Sequence, residues 1–182
     1  MIQTERLLLR PWSEDDAEAL YELAKDPAVG PSAGWPVHTS VENSRQIIRD
    51  VLAVPETYAV VRLSDGALLG SVGLHFRPHK AAGVEIGEYE LGYWIGQKYW
   101  GNGYAPEAGE ALLSHVFDDL RAAVCWCCHF IDNAKSKRVI EKLGFRYICR
   151  DEEHRTELPK ARVSLVYLQS AEDFRRRLKE KQ

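Results

Sequence analysis

The pattern of apolar and polar positions changes period along the chain. Short apolar runs, several bounded by turn residues, have the length and alternation of strands, while other segments repeat apolar residues at helical spacing. The strands predicted in this way are Arg6–Arg10, Thr57–Leu63, Ala67–Arg77, Val84–Ile95, Ala123–Phe130, Phe145–Arg150 and Arg162–Leu168.

Helices are predicted from apolar spacing together with residues that favour helix ends. Ser13 with Asp16, and Thr39 with Glu42, each have the spacing of a capping box. Pro106 suits a first helical turn. Either Asp132 or Asn133 could cap the next predicted helix along the chain. The helices predicted are Ser13–Ala24, Thr39 to near Pro55, Pro106–Leu120, Asn133–Leu143 and Ser170–Lys181.

The order of these elements is β-α-α-β-β-β-α-β-α-β-β-α, which indicates a single α/β domain spanning residues 1–182. Asp65-Gly66 is a good signal for a hairpin turn. The polar segment 78–83 is predicted to be the next connection, and the segment 28–38, rich in Pro, Gly and Ser, to be a loop or a short turn.

Composition adds mainly exclusions. The 182 residues are 45% hydrophobic and 28% charged, with a net charge of −3, so a general nucleic-acid binder is not indicated. No apolar run approaches the roughly 20 residues that a membrane helix needs. The N-terminal residues lack the apolar core of a signal peptide, so a cytoplasmic protein without a membrane partner is expected.

Three cysteines and a histidine crowd one predicted strand, which raises the question of a metal site. Alternation along a strand directs Cys125, Cys127 and His129 to one side and Cys128 to the other. No second ligand cluster appears elsewhere in the sequence. We therefore interpret the cysteines as small structural residues and predict no metal.

The sharpest local feature is a glycine-rich loop between the strand that ends at Ile95 and the helix that begins near Pro106. Gly101 and Gly103 let the backbone approach a ligand, and a helix start presents unpaired N–H groups, so the loop suits a phosphate. A Rossmann fingerprint is excluded because Pro106 stands where its third glycine belongs. A P-loop is excluded because no Gly-Lys-Ser/Thr follows.

Three segments carry a family resemblance. ELGYWIGQKYWGNGYAPEA (residues 90–108) strongly resembles motif A of the GCN5-related N-acetyltransferase (GNAT) superfamily, and it is most similar to the RimJ/RimL-like branch of ribosomal-protein-alanine acetyltransferases. NAKSKRVIEKLGF (residues 133–145) resembles the later helix motif of that branch, and TERLLLRP (residues 4–11) is a softer match. The resemblance covers nearly the whole chain.

The resemblance implies a mostly antiparallel mixed sheet of about seven strands, flanked by helices. The fourth and fifth strands, Val84–Ile95 and Ala123–Phe130, would splay apart to admit acetyl-CoA as cosubstrate. Pantetheine would pair with the fourth strand, and the loop amides would hold the pyrophosphate. The cofactor contacts implied are Tyr93, Trp94, Ile95, Gly101, Asn102, Gly103, Tyr104, Ala105, Asn133 and Ser136.

Two positions depart from the family pattern. Trp100 stands where a glutamine or arginine is usual, so the loop would rely more on backbone donors. Ile140 occupies the position at which many members carry a tyrosine as general acid. Ser136 is then the hydroxyl best placed to protonate the leaving thiolate, and a backbone N–H near Trp94 or Ile95 would polarise the carbonyl.

For the general base, Glu90 on the fourth strand is the candidate, with Glu88 and Glu85 as alternatives. Trp35 and His38 lie in the loop where the family places its acceptor, so they are candidates for binding the substrate. The expected reaction is direct acetyl transfer to a primary amine, either a protein N-terminal alanine or a small molecule. The alternative function is a non-catalytic module that binds CoA. The sequence leaves open whether the protein forms a homodimer.

Overall fold

The computed structural model describes residues 1–81, 84–154 and 162–180. Its strands are β1 (Ile2–Gln3), β2 (Leu7–Pro11), β3 (Thr57–Arg62), β4 (Leu68–Ala81), β5 (Val84–Ile95), β6 (Val124–Phe130), β7 (Arg146–His154) and β8 (Arg162–Ser170). Its α-helices are α1 (Ala17–Ala24), α2 (Gly30–Ala33), α3 (Val41–Ile47), α4 (Tyr104–Ser114), α5 (Ala134–Lys142) and α6 (Ala171–Glu180).

The strands form one eight-stranded sheet in the order β1-β2-β3-β4-β5-β6-β8-β7. The predicted mixed, mostly antiparallel sheet is confirmed, with one strand more than expected because Ile2–Gln3 pairs with β2. Among the described strands only β5 and β6 run parallel, and they pair at two positions, Tyr89 with Cys125 and Glu90 with Trp126. Beyond those pairs the two strands separate, as the family resemblance implied for these strands.

Helices cover both faces of the sheet, so each strand that contributes to the site has two environments. Leu91 and Ile95 of β5 are buried in the core beneath α4, α5 and α6, and Tyr93 packs against that core. Trp94, one residue along the strand, packs instead into the cluster formed with α1 and Ile48. The alternation of a β-strand therefore gives β5 one side chain set for each face.

One sequence prediction about a connection was wrong, and another is confirmed only in part. The segment 78–83 is mostly strand, because β4 continues to Ala81 and its pairing with β5 reaches Ala81 opposite Val84, with residues 82 and 83 outside the described part. The segment 28–38 contains the short helix α2. Strand pairing satisfies the backbone N–H and C=O groups of residues 78–81, which a solvated loop would leave to water. The polar side chains of the segment 78–83 gave no sign of this pairing.

Helix starts were predicted more closely. The capping box of Ser13 and Asp16 is confirmed, and it opens a 3-10 turn at Glu14–Asp16 that continues into α1. The cap of α3 is Ser40 rather than Thr39, since the Ser40 hydroxyl accepts the Asn43 N–H at 3.0 Å. Asn133 caps α5. No helix in the described ranges has the length and apolar character to cross a bilayer.

The close approach of β4 to β5 depends on a glycine. A Cβ at Gly70 would lie 2.1 Å from the Trp94 carbonyl oxygen, so Gly70→Ala is expected to lower the free energy of unfolding by about 2 kcal/mol or more. At Gly92 the nearest atom to a Cβ is the end of the exposed His75 side chain, at 3.2 Å. Gly92→Ala is therefore the matched control and should cost much less in urea unfolding. Equal losses would contradict this account of the β4–β5 contact.

Candidate active site

The glycine-rich loop lies at the end of β5 and leads directly into α4. Gly101 and Gly103 have φ angles of 82° and 80°, in the left-handed region that favours glycine. Gly103 is the N-cap of α4 and supplies no side-chain cap. The backbone N–H groups of residues 101–105 donate to no protein acceptor among the described residues. A helix start with unpaired donors is a site for an anion, so the loop fits the phosphate of a cofactor.

Arg6 and Glu107 hold this loop against the N-terminal part of the chain. The Arg6 Nε donates to Glu107 Oε2 at 2.7 Å, and the Thr4 hydroxyl donates to Glu107 Oε1 at 2.6 Å. The Arg6 Nη1 also donates to the Asn102 carbonyl oxygen at 3.1 Å. Burial of the Glu107 carboxyl opposes its ionisation, but the bonds from Thr4 and Arg6 outweigh burial and lower its pKa. The TERLLLRP segment, residues 4–11, therefore holds the loop in place through Thr4 and Arg6.

Trp100 and Asn102 fix the loop from within. The indole Nε1 of Trp100 donates to the Ile95 carbonyl oxygen at 2.6 Å, which ties the ring to the end of β5. The Asn102 side-chain amide donates to the carbonyls of Tyr99 and Trp100 at 3.0 and 3.1 Å. Trp94 pairs with Ser71 of β4 and the Ile95 carbonyl already has a donor, so Tyr93 is the strand position with more freedom for a new backbone partner.

One cleft of about 1110 Å³ opens between the separated strands, the loop, α5 and the segment 28–38 that contains α2, called here the α2 segment. The structure brings most of the predicted site residues to this cleft. Those that line it are Glu90, Tyr93, Trp94, Ile95, Gly101, Gly103, Tyr104, Ala105, Asn133 and Ser136. Asn102 is part of the loop but its side chain is turned to the loop carbonyls.

A hydroxyl pair lies on the cleft wall where β5 faces α5. The Tyr93 hydroxyl is 2.8 Å from Ser136 Oγ and 3.1 Å from the Ser136 carbonyl oxygen. Burial, with a smaller effect from nearby Cys127, raises the pKa of Tyr93 well above its ordinary value, so its phenol stays protonated. Ile140, by contrast, is completely buried in the core. Sequence reasoning missed this tyrosine because only the backbone of Tyr93 was assigned a role.

The opposite face of β5 carries a carboxylate and a thiol. The Cys128 thiol donates to Glu90 Oε1 at 3.1 Å, and both residues line the cleft with His75. Glu88 lies off the cleft wall, where its carboxylate accepts the Trp126 indole N–H at 2.6 Å. The side chain of the other alternative, Glu85, is outside the described part. Glu90 is therefore the carboxylate that the structure brings to the cleft.

Trp35 and His38 do not line the cleft. A Cβ at Gly30 would lie 2.6 Å from the Trp35 ring, and that ring packs 5.5 Å from Trp94. His38 is buried, its Nδ1 lies 2.8 Å from the Ser44 hydroxyl, and burial lowers its pKa. Both side chains support the segment from behind, and the same segment gives Pro31, Ser32 and Ala33 to the cleft wall instead.

The cysteine-rich strand shows the expected alternation. Cys125 and Cys127 are buried in the core, and burial raises the pKa of Cys125 to about 12. His129 is also buried, and its Nε2 lies 3.1 Å from the Tyr167 hydroxyl. Among the residues that the structure describes, no group of three His, Cys, Asp or Glu side chains could hold a metal ion.

Asn133 joins α5 to the α2 segment. Its Oδ1 accepts the Ser136 N–H at 3.0 Å and its Nδ2 donates to the Ser32 carbonyl at 3.1 Å. Asn133→Ala is expected to lower the free energy of unfolding by about 1 kcal/mol through loss of the cap. Asn133→Ser keeps a capping oxygen and should lose less in the same denaturant titration. Wild-type stability for the alanine variant would contradict the capping role.

Comparisons with known proteins agree with this arrangement. The model of the acetyltransferase (GNAT) domain family matches residues 6–146. YoaA of Bacillus subtilis, named an uncharacterised N-acetyltransferase, is 28% identical over 151 residues, which are 80% of this chain and 82% of that protein. An acetyltransferase of the GNAT family from Bacillus anthracis shares the fold with a TM-score of 0.80 at 24% identity, over 94% of this chain and 98% of that one.

A third similarity concerns a complex with a ligand. The microcin C7 self-immunity acetyltransferase MccE, solved with acetyl-CoA and AMP, has the same fold with a TM-score of 0.77 at 18% identity, over 92% of this chain and 93% of that one. The family model spans well over half of the chain, and the relatives similar along most of their length are named N-acetyltransferases. The chain therefore belongs to the GNAT acetyltransferase family and is an N-acetyltransferase.

Proposed function

We propose that this protein transfers the acetyl group of acetyl-CoA to a primary amine, by direct attack of the amine within a complex of all three partners. The observation that carries the proposal is the run of backbone N–H groups at residues 101–105, which donate to no protein acceptor in the described chain. They lie at the start of α4, on the wall of the cleft between β5 and β6. A negatively charged phosphate group is the partner that such a helix start favours.

The cofactor would be held by two kinds of backbone contact. The pyrophosphate takes the N–H groups of the loop, and the pantetheine arm lies along β5 in the opening that β6 leaves. The side chain of Asn133 is already used by Ser136 and Ser32, so we assign Asn133 to shaping the cleft wall rather than to a new hydrogen bond. Ser136 is the nearest hydroxyl on that wall to Tyr93.

Acetyl-CoA, when bound, supplies an acetyl group activated as a thioester. Ser136 is proposed to give a proton to the departing sulfur, because its hydroxyl lies on the cleft wall. The Tyr93 hydroxyl, 2.8 Å away, holds the Ser136 hydroxyl in place and can return a proton to it. A backbone N–H near Trp94 polarises the carbonyl as charge develops on its oxygen.

Glu90 is proposed to receive the proton that the amine loses. Glu90 and Tyr93 are three residues apart on β5, so their side chains lie on opposite faces of the strand. Acid and base therefore approach the reacting centre from two sides. The contact from Cys128 keeps the carboxylate on the cleft wall. A carboxylate acting directly or through water is sufficient to deprotonate an ammonium group.

The acceptor belongs to the proposal as well. The RimJ/RimL-like resemblance of residues 90–108 and 133–145 favours a protein N-terminal alanine, and a small-molecule amine is the other acceptor class. We further propose a single cytoplasmic domain, which is free to form a homodimer. A module that binds CoA without turnover would release no thiol from acetyl-CoA with any amine, which a panel of peptides and small amines measures directly.

Gly103→Val tests the cofactor site. The side chain would block approach to the loop, so affinity for CoA measured by calorimetry should fall at least about tenfold. The left-handed φ of 80° also adds strain, so a control with the same strain is needed. Gly66 has a φ of 72° in the β3–β4 turn with open space around its Cβ position, and Gly66→Val should lose similar stability while keeping CoA affinity. Equal affinities for the two variants would show that the phosphate site is misplaced.

Ser136→Ala tests the proton donor. Turnover is expected to fall by about 100-fold, while KM for acetyl-CoA changes by only a few fold, because the hydroxyl acts mainly on the leaving sulfur. Tyr93→Phe keeps the ring and removes the second hydroxyl, so it should reduce kcat less. Thiol release followed at saturating amine measures both. Full turnover by Ser136→Ala would remove this residue from the acid role.

A further inference from the structure

The helix α5 presents a stripe of positive charge to the cleft. Lys135, Arg138 and Lys142 are spaced at i, i+3 and i+7, so they share one helix face, and all three line the cleft. Lys137, on another face of the same helix, is absent from the cleft wall and pairs with Glu141 at 3.7 Å. Of the described lysines, Lys25 and Lys137 form ion pairs with carboxylates. Lys135 forms no ion pair with a carboxylate of the described residues.

Lys135 is the member of the stripe that reaches the glycine-rich loop. Its Nζ lies 3.8 Å from the centroid of the Trp100 ring, within the range of a cation–π contact. The ring cannot easily move, because its indole N–H is bound to the Ile95 carbonyl at 2.6 Å. Trp100 thus holds a cation from another helix at the position where the family pattern has a glutamine or arginine.

The placement of Lys135 is not explained by the stability of α5. It stands in the first turn, where the helix dipole disfavours a positive charge, and that turn contains no acidic residue. A cation without a carboxylate partner, held beside a loop whose N–H groups lack protein acceptors, would be neutralised by a bound anion. Arg6 and Arg62, which also lie beside the loop, already pair with Glu107 and Asp65. Lys98, within the loop, lies over the Tyr99 ring and is not among the residues that line the cleft.

We propose that Lys135 binds the pyrophosphate of the cofactor and that Trp100 positions it there. This rests on the proposed use of CoA and adds a residue from α5 to a site that the resemblance assigns to loop backbone alone. Lys135 thus supplies beside the loop the polar donor that a glutamine or arginine would supply at position 100. An ammonium group offers three donors, of which those pointing away from the ring are available for phosphate oxygens.

The test is CoA binding by Lys135→Met, which keeps an unbranched side chain of slightly shorter length and removes its charge. Calorimetry at low salt should show affinity reduced about tenfold for CoA and by the same factor for dephospho-CoA, which retains the pyrophosphate. Affinity for pantetheine, which has no phosphate, should be unchanged. Lys137→Met is the matched control and should bind all three ligands as the wild type does. Lys135→Arg should restore most of the affinity.

The outcomes are distinct. Wild-type affinity of Lys135→Met for CoA would overturn the proposal, while absence of CoA binding by the unaltered protein would overturn the proposed function itself. A loss confined to CoA and spared with dephospho-CoA would assign Lys135 to the 3′-phosphate and contradict its assignment to the pyrophosphate. For the positioning role, Lys135→Met should cost less in a Trp100→Leu background than in the wild type. Fully additive losses would remove Trp100 from that role.

Discussion

The separation of β5 from β6 is the constraint on which the site depends. Two parallel residue pairs, ending at Glu90 and Trp126, hold the strands together, and beyond them the backbone of β5 has lost its neighbour on that side. An unpaired strand inside a sheet would be costly if nothing took its place. A cleft of about 1110 Å³ occupies this gap, and the loop, α5 and the α2 segment close around it.

The loop at the end of β5 is then held from several directions. Arg6 and Glu107 fix it to the N-terminal segment, Trp100 fixes it to Ile95, and Asn102 closes it on itself. These contacts use side chains and carbonyls, and they leave the N–H groups of residues 101–105 without protein acceptors in the described chain. Rigidity and open donors together are what a preorganised phosphate site requires, because little ordering remains to be done when the ligand binds.

What sequence alone could predict follows from how local each signal is. The loop, the caps at Ser13 and Asn133 and the order of strands are set by neighbouring residues, and they were predicted. The pairs Tyr93–Ser136 and Arg6–Glu107 are 43 and 101 residues apart in sequence, so no local pattern contains them.

The placement of the two residues expected on the acceptor side shows the same limit of local sequence signals. The position of Trp35 and His38 in a loop indicated where they lie along the chain, but it did not indicate the direction of their side chains, which pack behind the cleft. Lys135 shows the reverse case, since a lysine on a polar helix gives no sequence signal until its contact with Trp100 is seen.

The most direct test of the account is to follow backbone amide resonances while CoA is added to the protein. Hydrogen bonds from N–H groups to phosphate oxygens shift those resonances strongly, so the amides of Gly101, Gly103, Tyr104 and Ala105 should show the largest changes. The amide of Gly66, in a distant turn with the same left-handed backbone, should stay unchanged. Saturation with CoA that leaves the loop amides unmoved, while others shift, would contradict the central claim.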